Sequence, residues 1–256
     1  MLFHQIIFGP VHSRRLGVSL GINLLPEDIK LCTYNCIYCE CGWGETEEII
    51  SSKMLPIETI VPVLEEKFKT LKNNNVHLDS ITYSGNGEPT VHPQFGAITE
   101  ELMRLRDTYF PQTIISCLSN STQLHRPDVL RVLQLIDNPI MKLDTGVQTT
   151  FEQINKPFTP IDVAEICGYL TKFQGNLTIQ TLFLKGELDD GTKIDNTTEA
   201  ELSAWLDYLK IIKPHTVMLY PIDRQTPAKK LVKIEKDILT QIAKEVEKLN
   251  IKALVY

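Results

Sequence analysis

At 256 residues, 43% of them apolar, the chain is long enough to bury a sizeable core as a single domain of barrel size. A formal charge of −6 argues against broad electrostatic attraction to nucleic acid or to an anionic membrane, while leaving room for a local basic patch. No apolar run approaches the ~20 residues that span a bilayer, and six cysteines without an export-type leader point to a reducing cytoplasm.

In chain order, 1–15 reads as an N-terminal extension and 16–25 as a strand that delivers the chain into a cysteine-rich loop. The span 57–73 has helical spacing, with Ile57, Ile60, Val61, Leu64, Phe68 and Leu71 on one side. A strand at 80–84, a helix at 94–107, a strand at 113–119, a helix at 127–137 and a short strand at 140–144 follow. Then come a helix at 161–173, a strand at 177–184 and a polar, acidic loop at 186–197 turning on Asp189-Asp190-Gly191. Thr198 with Glu201 forms a capping box for a helix running to 213. A strand at 216–220 precedes a closing helix and strand in 232–256. About six strand–helix units without a linker predict one α/β domain, 1–256, on a parallel sheet, either barrel-like or doubly wound.

The chemistry concentrates in Cys32-Thr33-Tyr34-Asn35-Cys36-Ile37-Tyr38-Cys39. C-x3-C-x2-C supplies three thiolates, and an iron–sulfur cube has four irons to ligate, so one iron is left for a ligand that is not cysteine. Cys41 adds a fourth thiol, and thiolates also bind zinc, but zinc sites usually draw ligand pairs from separated knuckles. Disulfides suit a small secreted domain better than this chain. Cys117 and Cys167 fall in strand and helix contexts and read as core residues.

Other candidates stand at the ends of predicted strands, where barrel enzymes place their chemistry. In Ser84-Gly85-Asn86-Gly87-Glu88-Pro89-Thr90, two glycines beside an acid allow close backbone approach and offer polar groups to a bound ammonium. Read as a dinucleotide loop the turn fails, because Thr90 stands where a third glycine belongs. Asn120 follows the next strand, then Asp144, whose carboxylate could accept ribose hydroxyls, and Tyr220 ends the strand at 216–220. Gln180 is a polar residue in an apolar strand and so a candidate for the substrate side. Arg14 and Arg15 are candidates for a substrate phosphate or carboxylate.

The cysteine window, with aromatic Tyr38 before its third cysteine, resembles the signature of radical S-adenosylmethionine (SAM) enzymes. That resemblance selects an open, partial (β/α)6 TIM-like barrel. It implies a [4Fe-4S] cluster on Cys32, Cys36 and Cys39, with SAM chelating the open iron. It also implies SAM contacts from Tyr38, Gly85, Asn86, Gly87, Glu88, Asn120, Asp144 and Tyr220, and an electron donor such as flavodoxin or ferredoxin. Reductive cleavage of SAM would then start radical chemistry on the substrate. The stretch from Phe8-Gly9-Pro10 to Arg14-Arg15-Leu16-Gly17, with Asn155-Lys156-Pro157, is similar to a subgroup related to tRNA wyosine-base synthases, though no flavodoxin-like extension is seen. It implies a tRNA base or nucleotide-like substrate. An activase that installs a glycyl radical on a partner enzyme and a zinc-binding interaction module are the alternatives.

Overall fold

The computed structural model describes residues 2–44 and 53–256, and the chain divides into two compact units. The first comprises Met1–Thr33, Gly44–Ser119 and Gln123–Pro139. Strand β1 (Ile7–Ser13) turns back antiparallel onto β2 (Gly17–Ile22), so the predicted extension is part of the sheet. Strands β2, β3 (Ser80–Tyr83) and β4 (Ile114–Ser119) run parallel, with Leu20 opposite Ile81 and Ile81 opposite Ile115. Every residue of β3 is buried, as both-face burial requires in a parallel sheet. Its polar members bond one another: Ser19 to Thr82 at 2.8 Å, and Ser80 to Ser116 at 3.0 Å. Helices α1 (Ile57–Asn73), α2 (Phe95–Tyr109) and α3 (Pro127–Leu135) connect these strands. The buried stripe of α1 is Ile60, Leu64, Phe68 and Leu71, four of the six residues its spacing singled out.

The second unit comprises Tyr34–Trp43, Asn120–Thr122 and Ile140–Tyr256. Here the end of β5 (Asn138–Lys142) runs parallel to β6 (Thr178–Glu187), which pairs in parallel with β8 (Thr216–Pro221), and β8 with β10 (Lys252–Val255). Helices α4 (Gln148–Asn155), α5 (Val163–Leu170), α6 (Glu199–Ile212) and α7 (Lys236–Glu247) complete it. Trp205 of α6 is fully buried, stacks edge-on to Phe183 and donates its indole N–H to Leu143 O at 3.1 Å.

Three expectations change. The segment 186–197 is a hairpin, not a loop: β7 (Lys193–Asp195) pairs antiparallel with the end of β6, as does β9 (Leu231–Lys233). The capping box forms by half: Thr198 accepts the Glu201 N–H at 3.4 Å, but the Glu201 carboxylate takes Thr145 and Thr150 hydroxyls, both at 2.5 Å. The helix expected over 161–173 is shorter, capped by Asp162 accepting the Ala164 N–H, and ends in a 3-10 turn, Thr171–Phe173.

Candidate functional site

In the first unit β2 leads to Leu31-Cys32, and a glycine turn fixes where that pair lies. Leu31 N–H donates to Asn86 O at 2.8 Å and Glu88 N–H to Leu31 O at 2.9 Å, a one-residue parallel bridge between Leu31 and Gly87. Gly87 adopts φ +137°, and a Cβ there would overlap the Leu31 carbonyl. Its lack of a side chain therefore serves the close approach of the cysteine segment. The Asn86 amide is fully buried and engaged by backbone: Oδ1 accepts Phe3 N–H at 2.7 Å, and Nδ2 donates to Phe3 O and Pro26 O. Glu88 Oε1 accepts the Thr90 N–H at 3.1 Å and the Ser119 hydroxyl at 2.9 Å, closing the turn onto the end of β4. Arg126 braces the same turn from α3, donating to Thr90 O and His92 O.

In the second unit the rest of the loop rests on the C-terminus of α4. Asn35 N–H reaches Asn155 O and Lys156 O, both at 3.0 Å, and Ile37 N–H reaches Ile154 O at 3.0 Å. Tyr34 bridges Pro157, and Lys156 ends the helix in a left-handed cap at φ +42°. Ile37 is fully buried among Ile154, Leu182, Leu184 and Ala228. Within the loop Cys39 N–H closes onto Cys36 O at 3.1 Å.

Asp144, 2% exposed, is the polar centre of this arrangement. Its Oδ2 accepts Tyr38 OH at 2.5 Å and Asn155 Nδ2 at 3.0 Å and pairs with Lys142 Nζ at 2.5 Å. Its Oδ1 accepts the Leu182 N–H at 3.0 Å. The Lys142 ammonium lies over the rings of both Tyr34 (5.4 Å) and Tyr38 (5.3 Å). Burial is the largest influence and opposes its charge, but Asp144, then Cys36 and Tyr220, together hold it above the ordinary lysine value. Burial first, then Asp144, pushes the Tyr38 hydroxyl well above the usual tyrosine range, so it stays a donor.

The sequence-predicted residues are thus sorted. Cys36, Tyr38 and Asp144 come together, and Gln180 Nε2 meets Tyr220 OH at 2.7 Å. The Gly85–Glu88 turn meets the residue before Cys32. Asn120 Oδ1 accepts the N–H and hydroxyl of Thr122, a local turn, and the following Ser121 has φ +72°. The Asp144 carboxylate, expected to accept ribose hydroxyls, holds Tyr38, Asn155 and Lys142. Arg14 and Arg15 lie in the β1–β2 turn, where Ser13 Oγ accepts the N–H groups of Arg15 and Leu16. That turn opens β2, whereas the loop bearing Cys32 leaves its far end, about 20 Å along the strand. Lys142, Asn155 and Arg126 went unrecognised; for Asn155 the signal was its place in Asn155-Lys156-Pro157.

The residues fit an iron–sulfur cluster. None of the six cysteines forms a disulfide, Cys32, Cys36 and Cys39 are only partly or fully buried in one short loop, and an amide N–H faces Cys36 Sγ at 3.9 Å. Among the described residues no three Cys, His, Asp or Glu side chains converge as ligands of a single ion would; a cube takes one thiolate per iron and does not need such convergence. Cys117 and Cys167 are buried, and burial raises both thiols, Cys167 to about 12. Among the described residues no helix is long and apolar enough to cross a membrane.

The Radical SAM superfamily profile matches residues 27–194. A GTPase Obg of Brachyspira hyodysenteriae is 32% identical over 231 residues, covering 88% of this chain but 31% of that protein. A UPF0026 protein of Helicobacter pylori is 32% identical over 228 residues, covering 88% of this chain and 68% of that one. Among solved structures, a radical SAM methyltransferase from Sphaerobacter thermophilus superposes with TM-score 0.63 at 13% identity, over 93% of this chain and 65% of that one. Streptococcus suis SuiB bound to S-adenosylmethionine gives 0.58 at 15% identity, over 91% and 51%. An archaeal TYW1 gives 0.55 at 13% identity, over 90% and 71%. The shared fold is the α/β, partial TIM-like barrel with a mostly parallel sheet. The chain thus belongs to the radical SAM superfamily of enzymes, which work with a [4Fe-4S] cluster and S-adenosylmethionine, and to the UPF0026 proteins.

Proposed function

We propose that Cys32, Cys36 and Cys39 ligate three irons of the [4Fe-4S] cluster and leave the fourth to SAM. The observation that carries this reading is the loop itself: three thiols in eight residues, its stems fixed by the Leu31–Gly87 and Tyr34–Pro157 bridges. Held by these three thiolates, the cluster would supply the electron for reductive cleavage of SAM and so the start of radical chemistry on the substrate. A flavodoxin- or ferredoxin-like protein is the proposed electron source.

The chain's own residues place and shield. Backbone at Gly85 and the Glu88 carboxylate are the proposed partners of the SAM methionine part, and the Asn120 turn and Tyr220 flank its nucleoside. Asn86 and Asp144 act behind them, fixing the glycine turn and the cysteine loop. A tRNA base or nucleotide-like molecule is the proposed substrate class, supported by the wyosine-related stretches at 8–17 and 155–157.

Anaerobic reconstitution tests the ligand assignment. Cys32→Ala, Cys36→Ala and Cys39→Ala should each lose most cluster iron and all formation of 5′-deoxyadenosine, while Cys41→Ala keeps both. A Cys41 variant without iron beside a triad variant that retains it would overturn the assignment.

A further inference from the structure

We propose that Asn155 is a positioning residue for Cys36, its amide N–H donating to the ligand sulfur and thereby setting the potential at which the cluster is reduced. The inference rests on the assignment of Cys36 as a ligand.

Asn155 is 1% exposed at the last turn of α4, so its amide has no solvent partner to turn toward. Nδ2 faces two acceptors, Asp144 Oδ2 at 3.0 Å and Cys36 Sγ at 3.9 Å, and an amide nitrogen has a hydrogen for each. The carboxylate also fixes which way the amide points. A flipped Asn155 would set its oxygen against Asp144 Oδ2, so the nitrogen must face both the carboxylate and the sulfur. Asp144 is itself immobilised by Lys142, Tyr38 and the Leu182 N–H. The backbone of the same residue accepts from Asn35 in the loop, so donor and sulfur are held in register by two independent contacts.

A hydrogen bond to a ligating thiolate withdraws electron density from the cluster, and the reduced state, carrying one more negative charge, gains more from it. Loss of the donor therefore makes the cluster harder to reduce.

The test is a dye-mediated anaerobic titration of reconstituted protein, followed by electron paramagnetic resonance, with iron and sulfide assayed on every sample. Asn155→Leu, similar in size but with no donor, should load normally and show a roughly fivefold lower ratio of reduced to oxidised cluster at a fixed potential. A loaded variant with the wild-type midpoint would overturn the inference. Should the variant not load, the wild type decides: with side-chain 15N-asparagine, the reduced cluster should show a nitrogen coupling in pulsed resonance, and its absence would be equally decisive against the proposal. A wild-type protein that takes up no iron and sulfide would instead sink the ligand assignment.

Discussion

Gly87→Ala separates two roles for the glycine turn. If Gly87 merely left room for SAM, an added methyl would weaken SAM binding and leave the cluster in place. The geometry gives another outcome. The residue holds φ +137°, a region open essentially to glycine, so alanine there carries about 2 kcal/mol of strain. Its Cβ would also overlap the Leu31 carbonyl, and relief means parting the bonds from Leu31 N–H to Asn86 O and from Glu88 N–H to Leu31 O. At about 1 kcal/mol for each buried bond, the total reaches about 4 kcal/mol, a large share of the ~5–15 kcal/mol that holds a domain folded. Since Cys32 directly follows Leu31, iron uptake should fall together with stability. Urea unfolding of the metal-free protein and iron and sulfide analysis after reconstitution measure the two effects. A variant with wild-type stability and a full cluster, impaired only in SAM affinity by equilibrium dialysis, would refute this reasoning.

Two further outcomes are expected. His92 is buried, its Nε2–H donating to Leu55 O at 3.0 Å and its Nδ1 accepting the Gln94 N–H at 3.1 Å, and burial lowers its pKa. The unfolded chain therefore takes up this proton first, so His92 contributes stability that is present above the unfolded value of about 6.5 and lost as pH falls below it. Urea midpoints between pH 7.5 and 5.5 should fall more steeply for the wild type than for His92→Gln, and parallel slopes would exclude the role. Arg14→Ala, at the far end of β2 from the cysteine loop, should leave SAM turnover unchanged, and the salt dependence of any tRNA binding as well; a flattened salt slope would show that nucleic acid reaches that hairpin.

What the sequence disclosed depends on how local the determinants are. The cysteine spacing is complete within eight residues, and the buried stripe of α1 repeats at helical intervals, so both were readable. Helix α4 was missed because Gln-Thr-Thr-Phe-Glu-Gln-Ile-Asn is short and polar, has no side-chain N-cap, and buries only Phe151, Ile154 and Asn155. Its helicity comes from what it packs against. Glu201 misled because the capping-box pattern is local, whereas the hydroxyls of Thr145 and Thr150 that claim its carboxylate lie about fifty residues away in the chain. Asp144 was singled out for a ligand, whereas its partners within the protein could not be read from the sequence. No spacing rule links it to Tyr38, 106 residues earlier, or shows that Asn155 turns toward it.

The second stem of the cysteine loop is held largely by main-chain donors of Asn35 and Ile37 to carbonyls at the end of α4. A peptide N–H is the same group whatever side chain it carries, so this fastening does not itself select the side chain at either position. Proline is excluded at positions 35 and 37 because each N–H donates, and position 37 also demands an apolar anchor. The fixed side chains within the loop are therefore those engaged in their own right, Tyr38 on Asp144, Tyr34 beneath the Lys142 ammonium and Ile37 in the apolar cluster, while the path between them is set by the main chain.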